Sequence, residues 1–101
     1  MNNNLSILID QRAEKDIDEA VQWYSQDRLE LALEFLDAVD IVFKRMSQFP
    51  QSYPEVDRGI RIALTKKFPF CVYYAVDDEF VTVFAVLHIR RSPDTWRQRL
   101  E

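Results

Sequence analysis

The sequence predicts an α+β domain in which an amino-terminal strand and an α-helical hairpin pack on a small antiparallel β-sheet, followed by a short carboxy-terminal helix or tail. Three observations carry that expectation. Apolar residues recur at spacings of three and four from Ala13 to Met46, the period of helices with one buried face. From Ile60 onward they alternate, or fill β-branched and aromatic blocks, as strands do. The change of period falls beyond Pro54, so helices and sheet occupy separate stretches of chain. At 101 residues the chain is one domain, residues 1–101, long enough to bury its own core. Its 48% hydrophobic and 30% charged residues, with four prolines and one glycine, place it among ordinary globular domains.

Leu5 to Ile9 is a short apolar stretch suited to a strand, and Asp10 is placed to cap a helix beginning at Gln11. From Gln11 to about Gln26, Ala13, Ile17, Ala20, Val21 and Tyr24 form one apolar face, with Glu14, Lys15, Asp18, Glu19 and Gln22 opposite. After a polar break at Ser25–Arg28, Leu29, Ala32, Leu36, Val39, Phe43 and Met46 continue the spacing to a stop at Phe49-Pro50. So short a connection predicts an antiparallel helical hairpin. Ile60, Ile62 and Leu64 then alternate with Arg61, Ala63 and Thr65, a strand on which Arg61 points away from the core. By the same parity Lys67 follows Arg61, unless a turn at Lys66-Lys67 breaks the strand. Phe68–Val76 and Phe80–Ile89 flank the acidic turn Asp77-Asp78-Glu79 and read as a hairpin. Its last strand is apolar on both faces, as in a central strand. Ser92-Pro93-Asp94 starts a short helix, with Ser92 as N-cap.

Charge is distributed unevenly. Residues 1–48 hold ten acids and five Lys/Arg, residues 49–101 seven and eight, so the net charge of -4 divides as -5 and +1. An acidic chain of this kind is not a general nucleic-acid binder, because non-specific affinity scales with the phosphates neutralised. Within the second half, three cationic clusters bracket the strands: Arg58 and Arg61, Lys66 and Lys67, then Arg90 and Arg91 beside the single histidine, His88. A solitary Arg61 amid Ile60, Ile62 and Ala63 is costly unless it has a partner, which marks it as the foremost functional candidate.

Several chemistries lack their parts. A single glycine, Gly59, supplies neither a phosphate-cradling loop nor a dinucleotide fingerprint, and one histidine with one cysteine builds no zinc site, so no cofactor or metal is expected. Asp16, Glu19, Glu34 and Asp37 read as solvated helix faces. Cys71, alone in an apolar run, reads as a core residue in a reducing compartment, and the cytoplasm is the expected location. The first ten residues carry no cationic leader, and no run approaches the roughly 20 apolar residues that span a bilayer, so neither secretion nor a membrane is expected.

The ordered motifs A-x-x-D-I-x-E-A-x-x-W-Y at Ala13–Tyr24, F-P-x-x-Y-P-x-V at Phe49–Val56, G-I-R at Gly59–Arg61, K-F-P-F-x-V-Y-Y at Lys67–Tyr74 and V-L-H-x-R-R-x-P-x-x-W at Val86–Trp96 resemble the RelE/ParE superfamily of type II toxins. The resemblance covers nearly the whole chain. It implies the same fold, a cognate antitoxin that wraps and neutralises the toxin, and a possible toxin–antitoxin hetero-oligomer. The superfamily divides into two activities. RelE-like members are ribosome-dependent mRNA endoribonucleases, a chemistry that needs cations and a proton carrier at the scissile phosphate. Arg61, Lys67, His88 and Arg90 are the candidates for it here. ParE-like members bind DNA gyrase, and the H-x-R-R-x-P-x-x-W ending, with no tyrosine or second histidine after His88, resembles that branch. For target or antitoxin binding the candidates are Arg58, Arg61, Lys66, Lys67, Tyr73, Arg90, Arg91 and Trp96. A third reading is an interaction module that keeps the toxin scaffold without the activity.

Each candidate also has a plainer reading. His88, at the end of a buried strand, suits a hydrogen-bonded structural histidine. Arg90 and Arg91 can pair with helix acids such as Glu14 or Asp18. Trp23, Tyr24 and Trp96 read as core or hairpin packing rather than base-stacking residues, and one of Tyr73 and Tyr74 is expected to lie exposed on the sheet.

Overall fold

A computed structural model describes residues 4–91 and 93–100. Strand β1 (Ser6–Ile9) leads into helices α1 (Gln11–Asp27) and α2 (Leu29–Gln48); strands β2 (Glu55–Asp57), β3 (Ile60–Leu64), β4 (Phe70–Val76) and β5 (Phe80–His88) come next, then helix α3 (Pro93–Gln98). Asp10 caps α1 as its sequence position predicts, its carboxylate accepting the Arg12 backbone N–H at 2.8 Å. The Arg12 side chain donates to the same carboxylate, and these hydrogen bonds hold Asp10 down at about 2. The break between the helices is tighter than expected: Arg28 alone, in extended conformation, separates them.

The strands form one five-stranded sheet in the order β1-β5-β4-β3-β2. Three of its pairings are antiparallel, but β1 joins β5 in parallel, from Ser6 opposite Phe80 to Ile9 opposite Val83. The sheet is therefore mixed rather than purely antiparallel. β1 precedes the helical hairpin and adds to the β5 edge of the meander, bringing Leu5, Ile7 and Ile9 against the helix-side core. The short β2 lies outside the sequence expectation, since Glu-Val-Asp has no strand pattern of its own and pairs only through its neighbour β3.

The helices cover one face of the sheet and α3 covers part of the other, where Leu8 and Leu64 stay exposed. On one, Val72, Tyr74, Val81, Val83 and Val86 meet Ala13, Ala20, Phe35, Val39 and Met46 of the helices. On the other, Ile60, Phe84, Ala85 and Leu87 pack under Trp96 of α3. A bulge in β5 sets which of its apolar residues meet the helices. Tyr73 pairs with Ala85 while Tyr74 pairs with Val83, which leaves Phe84 as an extra residue and shifts the alternation by one. Val81, Val83 and Val86 can thereby share the helix face. No helix among the described residues is long and apolar enough to cross a membrane.

Candidate functional site: a cationic end of the sheet

The topology divides the basic clusters between two ends of the sheet. Phe70 pairs with His88, and the Ile89 N–H donates to the Pro69 carbonyl at 2.8 Å, so the β3–β4 turn and the segment leaving β5 lie side by side. Lys66, Lys67, His88, Arg90 and Arg91 thus share one end. Arg61 lies opposite Tyr74, which puts it about 13 Å along the sheet from the Phe70–His88 pair at about 3.3 Å per residue, with Arg58 further still. The β3–β4 turn is fixed by Thr65, whose buried hydroxyl donates to the Phe68 carbonyl at 2.6 Å. Lys67 there adopts a left-handed φ of 70°, so the strand parity that linked it to Arg61 ends before it.

Arg61 is not the free cation its sequence setting suggested. It pairs with Tyr74, which is fully buried under the helices, so its side chain leaves the sheet on the core side and not away from it. The guanidinium donates to the Gln51 carbonyl at 3.1 Å and to the Tyr53 carbonyl, with Glu55 at 3.5 Å. Those partners engage both terminal nitrogens and tie the Gln51–Glu55 loop to the sheet. By contrast Lys66, Lys67, Arg90 and Arg91 are all exposed, and none belongs to an ion pair among the described residues. The pairing expected between Arg90 or Arg91 and the helix acids is absent there.

His88 is half-buried, its ring edge against Phe70 at 5.5 Å. Its Nδ1 accepts the Arg90 backbone N–H at 3.1 Å, which leaves Nε2 to carry the proton of the neutral ring. Beside it a cleft of about 160 Å³ is lined by Glu19, Ala20, Phe70, Val86 and Arg91. A larger groove of about 340 Å³ runs between α2 and the β3–β4 turn. Ala38, Ile41, Val42, Leu64 and Phe68 give it an apolar lining, Lys66, Lys67 and Arg45 a cationic rim, and Glu34 and Asp37 an acidic one. Among the described residues no group of His, Cys, Asp and Glu could hold a metal ion.

Tyr73 and Trp96 serve the second face of the sheet. Their rings stack at 5.1 Å and 19°, and Trp96 is only 3% exposed. Tyr74 is fully buried, its hydroxyl donating to the Pro50 carbonyl at 2.8 Å, so neither tyrosine of the pair lies open on the sheet. Burial pushes both phenols up to about 12, with Cys71 adding to the effect on Tyr73. Burial also raises the Cys71 thiol, which keeps it protonated and inert.

The family model of the ParE toxin of type II toxin–antitoxin systems (parDE) matches residues 7–93. The chain belongs to the ParE toxin family. No curated protein matches it significantly. A solved structure described as the chromosomal ParDE TA system from P. aeruginosa superposes with a TM-score of 0.74 and 18% identity, covering 85% of this chain and 97% of that one. At that identity the likeness establishes the shared fold. Membership in the ParE toxin family makes this chain the toxin of a type II module, whose counterpart is an antitoxin.

On this ParE scaffold, two features escaped the sequence. Asp16 is no solvated helix acid. Its side chain is 9% exposed and forms a two-point ion pair with Arg99 at 2.6 and 2.9 Å, while Oδ2 also accepts the Val86 N–H at 2.9 Å. Arg99 in turn donates to the Phe84 carbonyl at 3.1 Å. β1 ends opposite Val83, so this pair satisfies the β5 edge that β1 leaves uncovered. The second feature is Trp23, which is 71% exposed and not core. It sits one residue off the Ala13, Ile17, Ala20 and Tyr24 row, on a flank turned to solvent. No periodicity links Asp16 to Arg99, whereas the Trp23 offset is visible in the spacing. Ser92, expected as the N-cap of α3, lies outside the described residues.

Proposed function

We propose that this ParE-family toxin arrests growth by binding its target, with DNA gyrase as that target, and that it does not cut RNA. The observation that supports this is the separation of the nuclease candidates. Arg61 lies about 13 Å along the sheet from His88 and spends its guanidinium on backbone carbonyls on the helix side, so it does not join Lys67, His88 and Arg90 around one phosphate. What stays together is an exposed cationic end, a surface suited to recognition. The antitoxin, in this reading, lays an apolar and acidic segment into the groove between α2 and the β3–β4 turn, with its acids reaching Lys66 and Lys67.

Purified toxin is expected to inhibit supercoiling by gyrase in vitro and to leave mRNA intact on translating ribosomes. Ribosome-dependent cleavage abolished by His88→Ala would replace this reading with the nuclease one. Soluble expression without growth arrest and without effect on gyrase would leave only the inactive interaction module.

A further inference from the structure

We infer that the cationic end carries a second binding site, one for a single strand of nucleic acid, built from Trp23, Glu19, His88, Arg90 and Arg91. Tyr24 packs on Phe68 at 5.0 Å and Phe70 at 6.3 Å, which sets the last turns of α1 over the end of the sheet where Phe70 pairs with His88. Glu19 and Ala20 line the small cleft with His88 and Arg91. Trp23 stands three and four residues further along that same helix flank, hence one turn above the cleft, with its ring open to solvent.

An exposed tryptophan one helical turn from a cleft that Arg91 lines, with Arg90 next to it in the chain and neither arginine in a described ion pair, matches the two requirements of a single-strand site, a ring for a base to stack on and cations to follow the backbone. Asp16, the other acid lining the cleft, is neutralised by Arg99 and adds no repulsion of its own. Among the described residues Glu19 is then the one acid of that cleft outside an ion pair. A carboxylate in that position accepts from an exocyclic amino group, which favours cytosine over thymine. Lys66 and Lys67 extend the cationic line across the Ile89–Pro69 hydrogen bond. An acidic protein segment would use the cations alone and leave the tryptophan ring and Glu19 idle, which is why a nucleic-acid strand fits better. The net charge of -4 opposes binding from a distance and confines it to low salt.

The experiment measures anisotropy of labelled oligo(dC), oligo(rC) and oligo(dT) against salt, with quenching of intrinsic tryptophan fluorescence read in parallel. Binding is expected with log affinity falling by about 0.7 per neutralised phosphate, a slope of about -1.4 for Arg90 and Arg91 and nearer -2.8 with both lysines. Oligo(dC) should bind more tightly than oligo(dT), and the oligo(dC) and oligo(rC) arms decide between DNA and RNA as the natural strand. Trp23→Ala should weaken binding about 5- to 150-fold and Trp23→Phe much less, while the double variant Arg90→Ser, Arg91→Ser should flatten the salt slope. All three positions are exposed, and thermal unfolding checks that each variant folds. The inference is overturned if no oligonucleotide binds at low salt, if Trp23→Ala binds as the parent does, or if polyglutamate of matching charge displaces the strand as well as DNA does. The outcome is independent of whether the toxin inhibits gyrase.

Discussion

At the residue scale, the charges that matter most to this fold are the ones withdrawn from solvent. Arg61 holds two backbone carbonyls of the loop before β2 through one guanidinium nitrogen, Nη1, while Nη2 reaches Glu55. Arg61→Ala should cost about 2 kcal/mol in chemical denaturation, and Arg61→Lys should recover only part of it, since hydrogen bonds to a charged donor contribute about 1.5–3 kcal/mol. The Asp16–Arg99 pair is more deeply placed, with side chains 9% and 15% exposed. Asp16→Ala strands a guanidinium and the Val86 N–H together, so it should destabilise by about 3–5 kcal/mol. The double change Asp16→Leu, Arg99→Met should lose clearly less than the sum of the single changes, because no uncompensated charge remains. Denaturant titrations of the four proteins measure this coupling.

Among the elements, β4 and α3 settle how the second face of the sheet is closed. Trp96 fills the space over Ile60, Phe84 and Leu87 and stacks on Tyr73, with the Arg97 guanidinium 5.0 Å from its ring. Trp96→Ala should therefore cost about 3–5 kcal/mol and release the Tyr73 ring, seen as a loss of near-UV circular dichroism. Strand β4 also gives the protein an alkaline limit. Tyr73 and Tyr74 titrate at about 12 when folded and at the ordinary value of 10.0 when unfolded. Their folded values are raised, so the stability this contributes is complete below about pH 10 and is lost as pH climbs toward 12. For the fully buried Tyr74 the loss is on the order of 2 kcal/mol. A stability profile that stays flat from pH 9 to pH 12 would contradict it. Tyr74→Phe should flatten the profile in part, at the expense of its hydrogen bond to Pro50.

Across the whole molecule, the helical half is acidic while Lys66, Lys67, Arg90 and Arg91 collect at one end of the sheet, so the two surfaces suit different partners. If the antitoxin meets the α2 groove through acids, Lys66→Glu with Lys67→Glu should weaken its rescue of growth by at least tenfold in antitoxin dose, measured by titrated co-expression. Both side chains are exposed, so the fold should be kept, and growth arrest without antitoxin reads whether the same lysines also serve target binding. Most of the architecture is legible in the sequence. The helix face of Ala13, Ile17, Ala20 and Tyr24, the stop at Phe49-Pro50 and the hairpin around Asp77 each rest on short-range pattern and turn chemistry, which the sequence states directly. The candidate site is legible only in part. Lys66, Lys67, His88, Arg90 and Arg91 do come together, because a hairpin brings its own ends into register. The expectation for Arg61 fails, because alternation reports that successive residues face opposite ways but not which side the helices will cover.

By itself, then, the sequence determined the order and type of the elements other than β2 and the membership in a toxin family, properties carried by local periodicity and ordered motifs. Only the tertiary structure decided that β1 lies parallel to β5, that α3 closes over part of the second sheet face, that Arg61 is hydrogen-bonded on the helix side, and that Asp16 pairs with Arg99. The β1–β5 pairing and the Asp16–Arg99 pair join residues far apart in the chain, the latter 83 positions apart. The bulge at Phe84 and the far-reaching pair of Asp16 with Arg99 are geometry that no short window of sequence contains.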